Sequence, residues 1–462
     1  MISPTRILPL VIASALFMEN MDGTVIATSL PAIAADLGTN PVSLKLAFTT
    51  YLLSLTVFLP ISGWMADRYG AKLIFRLAIV VFTVASFGCG FAPNLAWLVA
   101  LRALQGLGGA MMVPVGRIIM IRSIPKSELV NAMAWLTVPA LIGPLLGPPI
   151  GGFITTYFHW RWIFWMNVPI GILGIILATK FMPDTREANV PPLDTKGFLL
   201  SGFGLALTVF GCTVIGRGLL PEVLVLAMIA AGGLMIALYL RHARLVANPI
   251  LDLSLLRIDT LRISITGGLF YRIAAGAIPF LLPLMLQLGF GLTAFQTGII
   301  TCASALGALT MKFGAGQLLR RYGYRRLLIG NGVLSCALMA AMGLFTPSMA
   351  YTLMMLILLA GGVSRSMQFT ALNSIAYADV STAQVSKANG LYTVMQQLSL
   401  ALGVAMAATV LDVSQWLRGA TELATVDFAA AFFLVSAGGL ASIVLFLRLP
   451  ANAGASLSGH TT

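Results

Sequence analysis

Apolar stretches of roughly twenty residues, the length that crosses a bilayer as a helix, follow one another along almost the whole of this chain. Inside a bilayer no water meets the backbone N–H and C=O groups, so only α-helices and closed barrels can span it. Barrel strands show short alternating segments rather than long apolar runs. The composition agrees with helices: 58% of the 462 residues are hydrophobic and 9% are charged, against about 25% charged in soluble domains. The chain therefore reads as an all-α, multi-pass membrane protein.

Fourteen helices are expected, over approximately 7–30, 43–65, 73–92, 96–121, 129–157, 161–182, 197–216, 220–241, 261–288, 295–319, 326–345, 349–371, 387–411 and 427–449. The longest connections, 183–196 and 242–260, bracket the seventh and eighth helices. That spacing divides the chain into a six-helix half at 1–182, a two-helix insert with its linkers at 183–260, and a second six-helix half at 261–462. Arg6 and the run Ile7–Met18 imitate the start of a signal peptide, but Glu19 and Asp22 interrupt the run before any cleavage point, so it reads as a retained first helix.

The net charge of +13 is explained by position. With the N-terminus inside, nineteen of the 28 Lys and Arg fall on cytoplasmic segments and helix ends, and four, Lys45, Arg161, Arg217 and Arg418, fall outside. This is the positive-inside bias of a membrane protein with both termini cytoplasmic, and it removes the case for a nucleic-acid partner. The partners expected are the lipid bilayer and a small molecule, with the chain acting as a monomer.

The remaining five bases, Arg102, Arg117, Arg272, Lys312 and Arg365, lie inside apolar stretches, as do the acids Glu19 and Asp22. A charge at the bilayer centre costs about 2.5–3.5 kcal/mol on insertion scales, so such residues mark function or a pathway. Glu19 and Asp22 are three apart and share a helix face. Burial and mutual repulsion favour protonation of at least one of them. Arg102, which does not deprotonate, supplies a fixed charge whose partner can change. Arg117 either lines an inward cavity or snorkels; Arg365 reads as a snorkelling anchor. Arg272 and Lys312, with Arg117, Asn373, Gln396 and Gln397, are candidates for contact with substrate, and Asn389 adds a further polar group beside them.

The chain also repeats itself. Gly63-Trp-Met-Ala-Asp67-Arg68-Tyr69-Gly70-Ala-Lys72 follows the second helix, and Gly316-Gln-Leu-Leu-Arg320-Arg321-Tyr322-Gly323-Tyr-Arg325 follows the tenth, 253 residues later. The glycines, the arginine, the tyrosine and the final base are kept. Two related halves are implied, with a substrate site near mid-membrane between them. The same offset carries Glu19 onto Arg272. We therefore expect Arg272 to alternate between Glu19 and an acidic group on the substrate.

The repeated turn resembles the first cytoplasmic motif of the major facilitator superfamily at Gly63, Asp67, Arg68, Gly70 and Lys72; the second copy, with Gly316, Arg321, Gly323 and Arg325, has Arg320 in place of the acid. Leu98, Arg102, Gln105, Gly106 and Gly108 resemble its fourth-helix motif. Gly143, Pro144, Gly147, Pro148, Gly151 and Gly152 resemble its fifth-helix antiporter motif. Asp22, Thr24, Leu30 and Pro31 are similar to the first-helix signature of the fourteen-helix drug:proton antiporter branch, as are Trp160-Arg161-Trp162, Phe164, Asn167, Pro169 and Gly171. The stretches 108–117 and 323–326 resemble a bacterial multidrug resistance group within that branch. The resemblance implies a major facilitator fold of six, two and six helices in a bacterial inner (cell) membrane. It also implies a proton-coupled exporter of drugs or organic anions working by alternating access. Glu19 is a departure from the branch pattern.

Physically, glycines let helices approach closely and prolines bend them, so 143–152 makes a bent, close-packed face suited to gating. Asp67, beside Arg68 and Lys72, would form an exposed ion pair contributing ~1 kcal/mol or less, enough to bias two near-equal conformers. No Walker-type loop supports ATP drive, so no cofactor beyond a proton gradient is expected. His159, His242 and His460 are scattered, and Cys89, Cys212, Cys302 and Cys336 show no metal spacing, which speaks against an enzyme. Uptake of an organic anion by proton symport or by uniport remains the alternative. A deep-base excess of five against two brings anionic substrates beside amphipathic drugs.

Overall fold

The computed structural model describes residues 4–124, 126–187, 190–214, 221–381, 384–420 and 422–458; the expectations for Arg217 and His460 lie outside them. Among the described residues the chain forms fourteen principal helices. These are α1 (Pro4–Asp36), α2 (Lys45–Tyr69), α3 (Ala71–Cys89), α4 (Leu95–Ser123), α5 (Lys126–Tyr157) and α6 (Asn167–Phe181). The insert supplies α7 (Thr195–Val214) and α8 (Glu222–Leu245). Then follow α9 (Asp259–Leu284), α10 (Ala294–Tyr322), α11 (Tyr324–Met342), α12 (Tyr351–Ile375), α13 (Val385–Leu417) and α14 (Thr425–Phe446). Twelve helical segments are long and apolar enough to cross a membrane among the described residues.

The helices expected from sequence are all present, and their ends are corrected. α1 runs on through Pro31 to Asp36 rather than stopping at residue 30, because a proline removes one hydrogen bond without ending a helix whose neighbours hold it. The sixth helix is broken: a single turn at Trp162–Trp165 precedes α6. The ninth ends in a π-turn at Met285–Gly289, after Pro279 and Pro283. α13 continues past residue 411 to Leu417.

Local chemistry explains several ends. Asn94 accepts from the Trp97 N–H at 3.0 Å to start α4, and Thr293 with Gln296 forms a capping box on α10. The two copies of the repeated turn break the chain in the same way. Gly70 (φ +98°) separates α2 from α3, and Gly323 (φ +70°) separates α10 from α11. Both angles lie where side chains are strained, so glycine is required at each.

The chain divides into two compact units, Met1–Ile250 and Leu251–Thr462. The boundary falls inside the second long connection, and α7 and α8 belong to the first unit. α8 packs on α7, and α7 docks on α2, where Phe58 meets Phe198 and a β-carbon on Gly202 would stand 3.0 Å from Val57. In the first unit α1 packs on α5 and α6, α2 on α4, and α3 on α4 and α6. In the second unit α9 packs on α13 and α14, α10 on α12, and α11 on α12 and α14. Each unit thus pairs its helices in the same order, as the repeated turn implies.

Candidate functional site

A buried polar cluster of the first unit is built on α1, α4 and α6. Asp22, Arg102, Gln105 and Asn167 are each at most 3% exposed. Arg102 Nη1 lies 2.5 Å from Asp22 Oδ2 and also donates to Gln105 Oε1 at 2.8 Å. Gln105 Nε2 donates to Asp22 Oδ1 at 2.8 Å, and Asn167 Nδ2 donates to the same oxygen at 2.9 Å. Asn167 in turn donates to Ser86 Oγ at 3.0 Å, and Ser86 donates to the Phe164 carbonyl at 2.9 Å. The guanidinium lies over the Tyr51 ring, 4.3 Å from its centroid. A buried charge is tolerable only when paired and hydrogen-bonded, and this network supplies both conditions.

Glycines bring the helices close enough for these bonds. A β-carbon on Gly106 would stand 2.6 Å from the Tyr51 carbonyl on α2, and one on Gly108 would stand 2.7 Å from the Ala78 carbonyl on α3. These contacts seat α4 against both neighbours and aim Arg102 and Gln105, one turn apart, at α1. The expected fifth-helix seam is a contact with α1 itself. β-carbons at Gly143, Gly147 and Gly151 would meet Phe17 O at 3.1 Å, Thr24 Oγ1 at 2.0 Å and Val25 O at 2.6 Å. Pro144, Pro148 and Gly152 lie on the same stretch of α5, and Thr155 Oγ1 pairs with Ser29 Oγ at 2.6 Å. The helix that carries both acids therefore rides on the glycine face.

Glu19 stands one turn before Asp22 in a different setting. Its side chain is partly exposed, while Oε2 is buried and accepts no hydrogen bond among the described residues. It neighbours the Tyr51 hydroxyl, both lying within 4 Å of the point where a Gly109 β-carbon would stand. Arg117, further along α4, is exposed.

At the end of α2, Asp67 does not pair with Arg68 or Lys72 as its sequence position suggested. Adjacent helical residues do not face each other, and Lys72 lies beyond the break at Gly70. Instead Arg122, at the end of α4, lies 2.9 Å from Asp67 and 3.0 Å from Glu187. The connection after α6 straps this turn. Thr185 O accepts from Ala71 N at 3.0 Å, Arg186 Nε donates to the Arg68 carbonyl at 3.1 Å, and Trp64 donates to the Pro191 carbonyl at 2.9 Å. At the other end of the unit, Arg161 lies 2.8 Å from Asp36 and Trp160 Nε1 donates to Asp36 at 3.0 Å.

In the second unit Arg272 is fully buried. It donates through Nη2 to the Tyr392 hydroxyl, which donates to Asn373 Oδ1 at 2.8 Å. Its Nε and Nη1 find no acceptor among the described residues, and no carboxylate of its own unit pairs with it among them. Gln396 follows Tyr392 by one turn on α13, and both Gln396 and Gln397 are partly buried. Lys312 is exposed and donates to Thr370 at 3.2 Å, one turn from Asn373 on α12. Asn389 accepts from Tyr377 at 2.9 Å. Arg365 does not snorkel: it donates to Ser304, and its Nη1 is buried. The turn holding Gly316, Arg321, Gly323 and Arg325 is present, with Arg325 donating to the Leu447 carbonyl at 3.0 Å.

The structure thus joins Asp22 to Arg102 directly and Arg272 to Asn373 through the Tyr392 hydroxyl. Gln105 and Asn167 were visible as motif letters without a stated role. Tyr51, Ser86, Arg122 and Glu187 carry no sequence signal that singles them out.

The family model described as Major Facilitator Superfamily matches residues 12–404 and again 264–460. The multidrug resistance protein MdtD of Citrobacter koseri is 37% identical over 403 residues, covering 87% of this chain and 85% of that protein. Its namesake in Salmonella heidelberg is 37% identical over 408 residues with the same coverage, and that of Escherichia coli is 36% identical over 403. Among solved structures, a D-xylose-proton symporter aligns with a TM-score of 0.72 at 14% identity, covering 98% of this chain and 99% of that one. The POT family transporter PepTSo aligns at 0.71 with 12% identity and 99% of each chain. The human organic anion transporter MFSD10 aligns at 0.64 with 16% identity, covering 96% and 100%. At such identities these three show the fold alone.

Proposed function

The chain belongs to the major facilitator superfamily, and from that premise we propose that it is a proton-coupled secondary exporter of small molecules. It is a multi-pass membrane transporter of the multidrug resistance kind rather than an enzyme. The antiport reading rests on one observation above all: a fully buried Arg102–Asp22 pair on a helix packed closely against a glycine face. Such a pair is held by geometry within the membrane, and adding or removing a proton one turn away changes its balance of charge. Glu19 and Asp22 supply the carboxyls, Arg102 is the fixed counter-charge, and the α1–α5 seam is the moving contact. The Asp67–Arg122–Glu187 cluster stabilises one conformer at the cytoplasmic side.

For the substrate, two arginines of the second unit, the fully buried Arg272 and the partly exposed Arg365, keep buried N–H groups without acceptors among the described residues. Unpaired buried cations favour an arriving anion. Within the second unit Arg272, Asn373, Gln396, Gln397 and Lys312 are the proposed substrate contacts; Arg117 is a separate candidate on α4 of the first unit. Organic anions or amphipathic molecules bearing an acid are the class to try first. The chain works as a monomer in the bacterial inner membrane with both termini cytoplasmic.

The test is transport in inside-out vesicles. An acidified lumen should drive uptake of an organic anion or a drug, with luminal alkalinisation, and a protonophore should abolish both. Uptake that needs no proton gradient would overturn the coupling. Accumulation driven by protons moving in the same direction would favour symport.

A further inference from the structure

The two carboxyls of α1 stand in environments that select opposite protonation states. Asp22 receives three donors, from Arg102, Gln105 and Asn167, one of them charged. Each of these three partners donates, which suits an acceptor-only carboxylate; a protonated carboxyl would place its own hydrogen against these donors. It is also buried, at 3% exposure. Glu19 has the reverse arrangement. Its Oε2 is buried with no donor among the described residues, and an ionised oxygen in that position bears its desolvation uncompensated. Yet the residue is partly exposed, unlike Asp22. The charged and titratable groups around it are Asp22 on its own helix, Arg117 on α4 and Tyr51 on α2.

We infer that Glu19 binds and releases the coupling proton, while Asp22 serves as the resident hydrogen-bonded partner of Arg102. This rests on the exporter reading and deepens it. One proton adds to the Glu19 carboxylate to give the neutral acid and leaves as the helix re-exposes it. When Glu19 is ionised, two negative charges share one face of α1, three residues apart, and repel. Arg102, already committed to Asp22 and Gln105, cannot neutralise both. Protonation relieves that repulsion and lets α1 settle on Gly143, Gly147 and Gly151.

The measurement is pH-titrated infrared difference spectroscopy on the purified full-length protein in lipid, reading the C=O stretch of a protonated carboxylic acid. The wild type should show a titrating band that is lost in Glu19→Gln and shifted in Glu19→Asp. It should persist in Asp22→Asn and, should that variant not fold, in the Asp22→Asn/Arg102→Gln double variant, which removes both charges together. A band that survives Glu19→Gln, or that vanishes when Asp22 is neutralised, overturns the assignment, as does the absence of any titrating band in the wild type. If vesicles show no proton-linked flux for any compound, the exporter reading fails, while the spectra still report which carboxyl holds a proton.

Discussion

Asp22 is held by more bonds than any other acid of α1, and that changes what its removal does. An amide at this position is isosteric, so sequence alone suggests a folded, uncoupled protein. With Arg102 fully buried, Asp22→Asn instead leaves a guanidinium without its counter-charge, a change that costs about 3–5 kcal/mol in buried pairs. Asp22→Asn should therefore lower the melting temperature and the yield of folded protein as well as abolish uphill transport. Asp22→Asn/Arg102→Gln should recover much of the stability and none of the uphill transport. Equal stability of the two variants in a thermal shift assay would show that the pair is not energetically coupled. Arg102→Lys keeps a charge but cannot reach Asp22 and Gln105 together with one planar fork, so it should recover less than half of the lost activity.

At the scale of elements, α1 and α5 meet in a closely packed seam. A β-carbon at Gly147 would stand 2.0 Å from Thr24 Oγ1 and 2.9 Å from its Cβ, so the side chain and its helix must give way together. Gly147→Leu should push the helices apart and reduce transport more than tenfold. Overpacking costs typically about 1–3 kcal/mol, so the variant should remain folded enough to bind substrate while failing to turn over. Wild-type turnover in proteoliposomes would remove the seam from the mechanism. Gly151 meets the Val25 carbonyl, where backbone rather than a side chain must move, so Gly151→Leu should be the more damaging to folding.

At the scale of the whole molecule, the charge bias sets the expected orientation. Lys45, the position a labelling test would first use, is 2% exposed and would not report. Pro93, exposed between α3 and α4, and Arg186, on the connection after α6, are better sites. A single cysteine at 93 should react with an impermeant thiol reagent from outside intact cells, and one at 186 only after the membrane is opened. The reverse pattern would invert the topology and with it the direction assigned to export. The same pairing of helices within each unit accounts for the family model matching the chain over 12–404 and once more over 264–460.

Much of this was legible in the chain itself. Hydrocarbon length set the number of helices, because a bilayer admits no unsatisfied backbone. The return of Gly63–Lys72 at Gly316–Arg325 announced the repeat, because both turns need glycine at a positive φ. Glu19, Asp22, Arg102 and Arg272 stood out because charge in hydrocarbon is costly. What could not be read was azimuth. Spacing along a helix tells which residues share its face, as with Arg102 and Gln105, but not which neighbour that face will meet. Only packing brought Asn167 from α6 to Asp22, turned Tyr51 under Arg102, and gave Asp67 to Arg122 rather than to Arg68 or Lys72. The difference between Glu19 and Asp22 likewise lies in the donors that other helices present, since hydrogen bonds across a bundle depend on distances that no one-dimensional pattern contains.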